Sequence, residues 1–166
     1  MDLPAAAGLL ALAHALAGVA FIAGLLGRWL VLGLAARATE LEPMRILAAA
    51  AAPFERLAIG GSVVVLVLGI ATAVAQGRPI LGPLQGARVD WLFVAVVLYL
   101  SVLPLVPLVF LPKGRVFEAA LTDAEARGQV TPELRAAWGD PVVRAAHGYE
   151  LGAVTVVLVL MLAKPF

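Results

Sequence analysis

Apolar residues in this chain come in long runs. Four stand out: Leu3 to about Ala36, broken only by His14 and Arg28; Leu57 to Ala75; Trp91 to Leu111; and Ala145 to Ala163, broken near its start by His147 and Glu150. Each is about 19 residues or longer, enough for a helix to cross roughly 30 Å of hydrocarbon. The runs are too long for strands and show no alternation with a period of two. The pattern predicts an all-α polytopic membrane protein. It would be one transmembrane domain over residues 1–166, a four-helix antiparallel bundle with spans near 5–36, 54–75, 90–111 and 142–163.

Helix-boundary chemistry refines the edges. Asp140-Pro141 reads as an N-cap followed by proline at the first helical position, and Pro53 reads as the opening of the second span. Residues 76–90, "QGRPILGPLQGARVD", form a short connector rich in Gly and Pro. Pro104 and Pro107 each remove a backbone donor, so they should kink or unwind the second half of span three. The main polar segment, residues 112–140, reads as an amphipathic linker with two short interfacial helices, the second capped by Thr131 with Pro132 behind it.

Composition sharpens this picture. The chain is 63% hydrophobic and 14% charged, against about 45–50% and about 25% for a soluble domain. A water-soluble chain this short could not hide so much apolar side chain. The N-terminus "MDLPAAAGLL" carries no basic residue ahead of its apolar run, and that run is longer than a signal peptide's, so it reads as a spanning segment. There are no cysteines, which excludes disulfides and thiolate metal sites. A net charge of +1 argues against a nucleic-acid partner.

The basic residues set an orientation. Arg28, Arg37, Arg45, Arg56, Lys113, Arg115, Arg127, Arg135 and Arg144 fall on one face, and Arg78, Arg88 and Lys164 on the other, nine against three of the 12. The positive-inside rule then predicts a multi-pass protein of the cell membrane with both termini outside the cytoplasm. Trp29, Trp91 and Trp138 fit interfacial anchors. Small residues spaced by four (Ala20/Gly24, Ala23/Gly27, Gly69/Ala73) permit close helix approach or simply reflect an alanine-rich chain.

The candidate chemistry lies in the few polar residues of the spans. His14 is nine residues past Ala5, so roughly 14 Å deep. It reads as a haem axial ligand, a proton-relay site, or a neutral imidazole bonded to a neighbouring helix. Span four carries "RAAHGYELG", in which Arg144, His147 and Glu150 fall along one helical edge while Tyr149 points elsewhere. Glu150 lies about 9 Å inside from Arg144, where a carboxyl needs Arg144 or His147 as partner. Arg28 and Arg144 are placed to pair with carboxylates or to snorkel. Counting depth from the outer ends separates His14 and His147 by roughly 11 Å, against a bis-histidine haem. His14 and Glu150 differ by only about 7 Å, which predicts a polar pocket or cofactor shared by His14, His147 and Glu150 between spans one and four.

The stretch "HALAGVAFIAG", the aromatic opening of span three, "TPELRAAWGDPVVRAAH" and the ending "LVLMLAKPF" resemble the predicted integral membrane proteins of domain-of-unknown-function family 2269. The most specific match is Met161 shortly before Lys164-Pro165. The resemblance covers most of the chain and implies no activity. More weakly, the His14-to-Gly24 spacing is similar to HemJ-type protoporphyrinogen oxidases and copper-resistance D-type four-helix proteins. For the HemJ type this implies haem binding at the His14 position. The chain departs from the HemJ type in having no lysine or arginine within Leu57–Ala75 or Trp91–Leu111.

Two classes of function remain open, with enzyme activity undecided. The first is a haem-binding or redox-linked membrane protein. Haem b would be held by His14, with His147 as a further cofactor contact, and Glu150, Arg144, Arg28 and Tyr149 would form a proton path or polar pocket. No metal site apart from a haem iron is indicated. The second is a non-enzymatic membrane module, either an accessory subunit of a membrane complex or a carrier of a small molecule or ion. Its partners would be lipid and a membrane protein or a second copy.

Overall fold

The structure, a computed structural model, describes residues 3–165, with side-chain burial from residue 5 onward. Among these residues all regular secondary structure is helical: α1 (Leu3–Arg37), α2 (Leu41–Ala75), α3 (Trp91–Val102), α4 (Leu111–Arg127), α5 (Pro132–Trp138) and α6 (Pro141–Ala163), with a 3-10 turn at Gly82–Gln85 and a π-helical segment at Val106–Phe110. Four helical rods are long and apolar enough to cross a membrane. Their outward residues are large and apolar, among them Leu12, Leu16, Val19, Val63, Val67, Val159 and Leu162, each at least half exposed. Lipid, not water, suits such a surface. The chain is a membrane-embedded all-α four-helix bundle.

The second rod starts at Leu41, well before the expected opening at Pro53, which lies inside α2. The proline deletes one backbone bond, but an alanine-rich turn precedes it, and alanine is the strongest helix former. Pro104 and Pro107 are also accommodated. Backbone angles at Leu103 and Leu105 stay helical, and the π segment carries the chain into α4. An i→i+5 register makes room for a proline ring and its missing donor. The two helices expected in the linker are present as α4 and α5, with α4 following directly on the π segment. The caps behave as their side chains dictate: Thr131 accepts from Leu134 N–H at 3.2 Å, and Asp140 accepts from Val142 and Val143 N–H at 2.8 and 3.2 Å.

The helices pair unequally. α1 and α2 form one hairpin along most of their length, and α3 packs on α6. The first pairing depends on glycine. A Cβ at Gly24 would stand 2.7 Å from Ala58 N and 3.0 Å from Phe54 O, so only glycine permits that approach. The hairpins meet in a core of Phe21, Leu25, Ala58, Tyr99 and Val154, where Tyr99 donates to the Ser62 carbonyl at 2.7 Å. At 35 residues each, α1 and α2 are about 52 Å long, well beyond roughly 30 Å of hydrocarbon. Their overhang packs with α4 and α5 around the fully buried Met44, Ala124 and Leu134, and the Trp138 indole donates to Met44 Sδ at 3.0 Å. This is the linker end. At the opposite end Trp91 is buried beneath Arg78 and Lys164, whose cationic groups lie 5.3 and 5.7 Å from its ring.

Candidate functional site

Two polar clusters lie inside the bundle, and the sequence expected one. The larger sits where α1 crosses α6. Arg28 Nη2 donates to Glu150 Oε2 at 2.6 Å, and both side chains are more than nine-tenths buried. His147, one turn earlier on α6, brings Nδ1 to 3.3 Å from the same Arg28 nitrogen and 3.5 Å from the same Glu150 oxygen. Facing a guanidinium donor, a neutral His147 accepts at Nδ1 and keeps its proton on Nε2. Phe110 roofs the cluster. Its ring stacks on His147 at 4.6 Å, with Arg28 Cζ 5.0 Å from the ring centroid.

Such a pair in an apolar interior is held by its own attraction. Removing one partner strands a charge that neither lipid nor the core can solvate. Arg28 Nε is fully buried and has no hydrogen-bond partner among the described residues. Arg28 also lines a cavity of about 20 Å³, together with Ser62, Tyr99 and Glu150 among others.

The second cluster is His14 alone. Its Nδ1 lies 3.0 Å from the Val65 carbonyl of α2, so Nδ1 carries the proton and Nε2 the lone pair. Gly69 makes the room, since a Cβ there would stand 2.9 Å from His14 Cε1. This corrects the shared pocket. His14 belongs to the α1–α2 interface, fourteen residues or about 21 Å along α1 from Arg28. The depth count failed because it set Ala5 and Lys164 at one level. Arg28 is about 34 Å along α1 from Ala5, while its partner Glu150 is about 21 Å along α6 from Lys164, so the N-terminal end of α1 overhangs the C-terminal end of the antiparallel α6 by about a dozen ångström.

The remaining candidates separate. Arg28, His147 and Glu150 come together. Arg144 is exposed on the outside of α6. Tyr149 turns away from the ion pair, and its hydroxyl meets Ser101 Oγ at 2.5 Å. Reasoning from sequence missed Phe110; its signal was the pair of prolines just before it, since π segments concentrate at functional sites. It also missed Lys113, which reaches Asp140 at 2.7 Å outside the spans. That ammonium, and next the Val143 N–H, hold the Asp140 carboxyl below the usual aspartate range.

His14 meets half of a haem ligand's requirement. Ligating histidines commonly donate their other ring N–H to a carbonyl, as His14 does. His147 fits iron poorly, with Nδ1 turned to Arg28 and Glu150 and one face under Phe110. The larger cavity, about 350 Å³ beside Phe93, Val97, Ser101 and Tyr149, is lined by neither histidine. No cluster of three or more His, Cys, Asp or Glu able to hold a metal ion occurs among the described residues.

The fold and the cluster define a membrane-embedded helical bundle with a buried ion pair and a part-buried histidine against it. Comparison with protein-family models, curated proteins and solved structures gave no match.

Proposed function

We propose that this is a multi-pass protein of the cell membrane, both termini outside, that couples proton uptake to the packing of its two hairpins. It is then a non-enzymatic module: an accessory subunit of a membrane complex, or a carrier. The observation that carries this reading is the buried 2.6 Å Arg28–Glu150 pair with His147 in reach of both. The charged groups facing His147 are Arg28 from α1 and Glu150 from its own helix, with Arg144 one turn away; the π segment contributes only the Phe110 ring. When His147 takes a proton, Nδ1 stops accepting from Arg28 and donates to Glu150 instead. Two cations then compete for one carboxylate. A further proton on Glu150 leaves Arg28 without a counter-charge. Either step weakens the tie between α1 and α6. The linker end is the cytoplasmic one on this reading, because nine of 12 basic residues gather there.

The chain has no cysteine, so spin labels can be placed at will. Cysteines at the exposed Leu30 and Val142, labelled in lipid nanodiscs, report the α1–α6 separation. Acidification should widen or broaden the distance distribution, and Glu150→Gln should abolish the response. A distribution unchanged by pH refutes the reading.

A second reading rests on the His14–Val65 bond, which leaves Nε2 as an axial donor to haem b. When bound, haem would supply one-electron chemistry, and His14 would hold the iron. A Soret band in protein made with excess haem precursor, lost in His14→Ala, supports it; no Soret band rejects it.

A further inference from the structure

We infer that the cavity beside the ion pair is a water site, and that its water is the third partner of the charged Arg28–Glu150 pair. The inference rests on the proton-site reading and names what completes that site. A cavity needs roughly 10–15 Å³ and two to four polar partners to hold a water. This one has about 20 Å³.

Its lining includes four polar side chains: Arg28, Ser62, Tyr99 and Glu150. Arg28 Nε is a buried donor with nothing to receive it among the described residues. The bonds that Arg28 and His147 make to Glu150 all fall on Oε2, which leaves Oε1 as an acceptor. Tyr99 spends its proton on the Ser62 carbonyl, so its oxygen retains lone pairs. One water accepts from Arg28 Nε and donates to Glu150 Oε1 and to Tyr99 Oη. That uses both of its hydrogens and satisfies the orphaned donor, which would otherwise cost the full desolvation of a charged group.

The site also has a direction. Phe21 and Arg28 line the same cavity from α1, seven residues apart. Phe21, Ser62 and Tyr99 belong to the central core, whereas His147 lies one turn nearer the linker end than Glu150. The carboxylate is thus held between an imidazole on one side and a water on the other.

Proton-detected solid-state NMR on the full chain in lipid bilayers tests this. A water cross-peak should appear at the Arg28 Nε–H, assigned by its loss in Arg28→Lys. Val106→Ile adds one methylene at the cavity wall and should remove the cross-peak. Tyr99→Phe deletes one water acceptor, keeps the ring, and should weaken the peak at least twofold; it carries the test if Val106→Ile does not fold. No water contact at Nε–H in the native chain, or a cross-peak undiminished in the variants, overturns the water site. The proton-site reading fails separately: if the spin-label distances ignore pH while the cross-peak persists, the water stands and the proton coupling falls.

Discussion

The two histidines of this chain show how little a residue's identity says without its neighbours. Both sit in apolar helices. His14 meets a single backbone carbonyl, in a slot that Gly69 leaves open, with no ionisable partner among the described residues. His147 meets a guanidinium, a carboxylate and an aromatic ring within one helical turn. Protonating His14 would place a charge against one carbonyl and change little else. Protonating His147 redistributes three contacts, two of which join α1 to α6. The contrast separates a packing role from a switching one, and the variants below probe that division.

The largest effect is expected from breaking the ion pair. Glu150→Ala should cost about 3–5 kcal/mol, because it strands Arg28 in an apolar interior. The double variant Arg28→Met/Glu150→Leu should recover most of that loss, since an apolar pair of similar volume is often neutral or better. Reversible unfolding in mixed micelles measures both. Equal losses in the single and double variants would mean that the pair is not what ties α1 to α6.

The next effect belongs to the packing region. Gly24→Ala drives a Cβ against the Ala58 backbone at 2.7 Å, and backbone cannot swing aside. A loss of about 1–3 kcal/mol is expected, typical of overpacking, with the acid response at α1–α6 intact. Gly8→Ala, where a Cβ meets nothing, is the control and should hold or slightly raise the unfolding midpoint.

His14→Ala should be milder, about 1 kcal/mol for one hydrogen bond. The spin-label response to acid should survive it. Loss of that response in His14→Ala would merge the two histidines into one site after all.

The smallest effect lies outside the membrane. Asp140 is held below its ordinary range by Lys113 and by the Val143 N–H. A carboxylate with a depressed folded-state value contributes stability above the unfolded value and loses it as pH falls through the folded one. Asp140→Asn should therefore flatten the acid-side slope of stability and leave the alkaline side unchanged. High salt should shrink the difference, because the pair is partly exposed. A stability profile that Asp140→Asn leaves unchanged below about pH 5 would remove Lys113–Asp140 from the account.

Much of the architecture was legible in the sequence, because four apolar runs of membrane length leave few alternatives, and Asp140 and Thr131 cap where their side chains predict. The extents of the helices were not. Pro53 read as the opening of span two, yet it lies inside α2 behind an alanine-rich turn; the local unwinding expected at Pro104 and Pro107 takes the form of the π segment. For the site, Arg28, His147 and Glu150 each stood out as ionisable residues in apolar runs. What the sequence lacked was the register between helices. Arg28 faces Glu150 only because α1 overhangs α6, and no local pattern encodes that offset. Phe110 stayed hidden for a related reason: it is one apolar residue among many until the π segment turns it over the ion pair.

The most direct test of the central claim is an infrared titration of the intact chain in lipid. With carboxyl-labelled glutamate, titration toward acid across the range in which the chain stays folded should bring up a protonated-carboxyl band. That band should be missing in Glu150→Gln and altered in His147→Ala. A carboxyl spectrum identical in the native chain and in Glu150→Gln across that range would contradict the account.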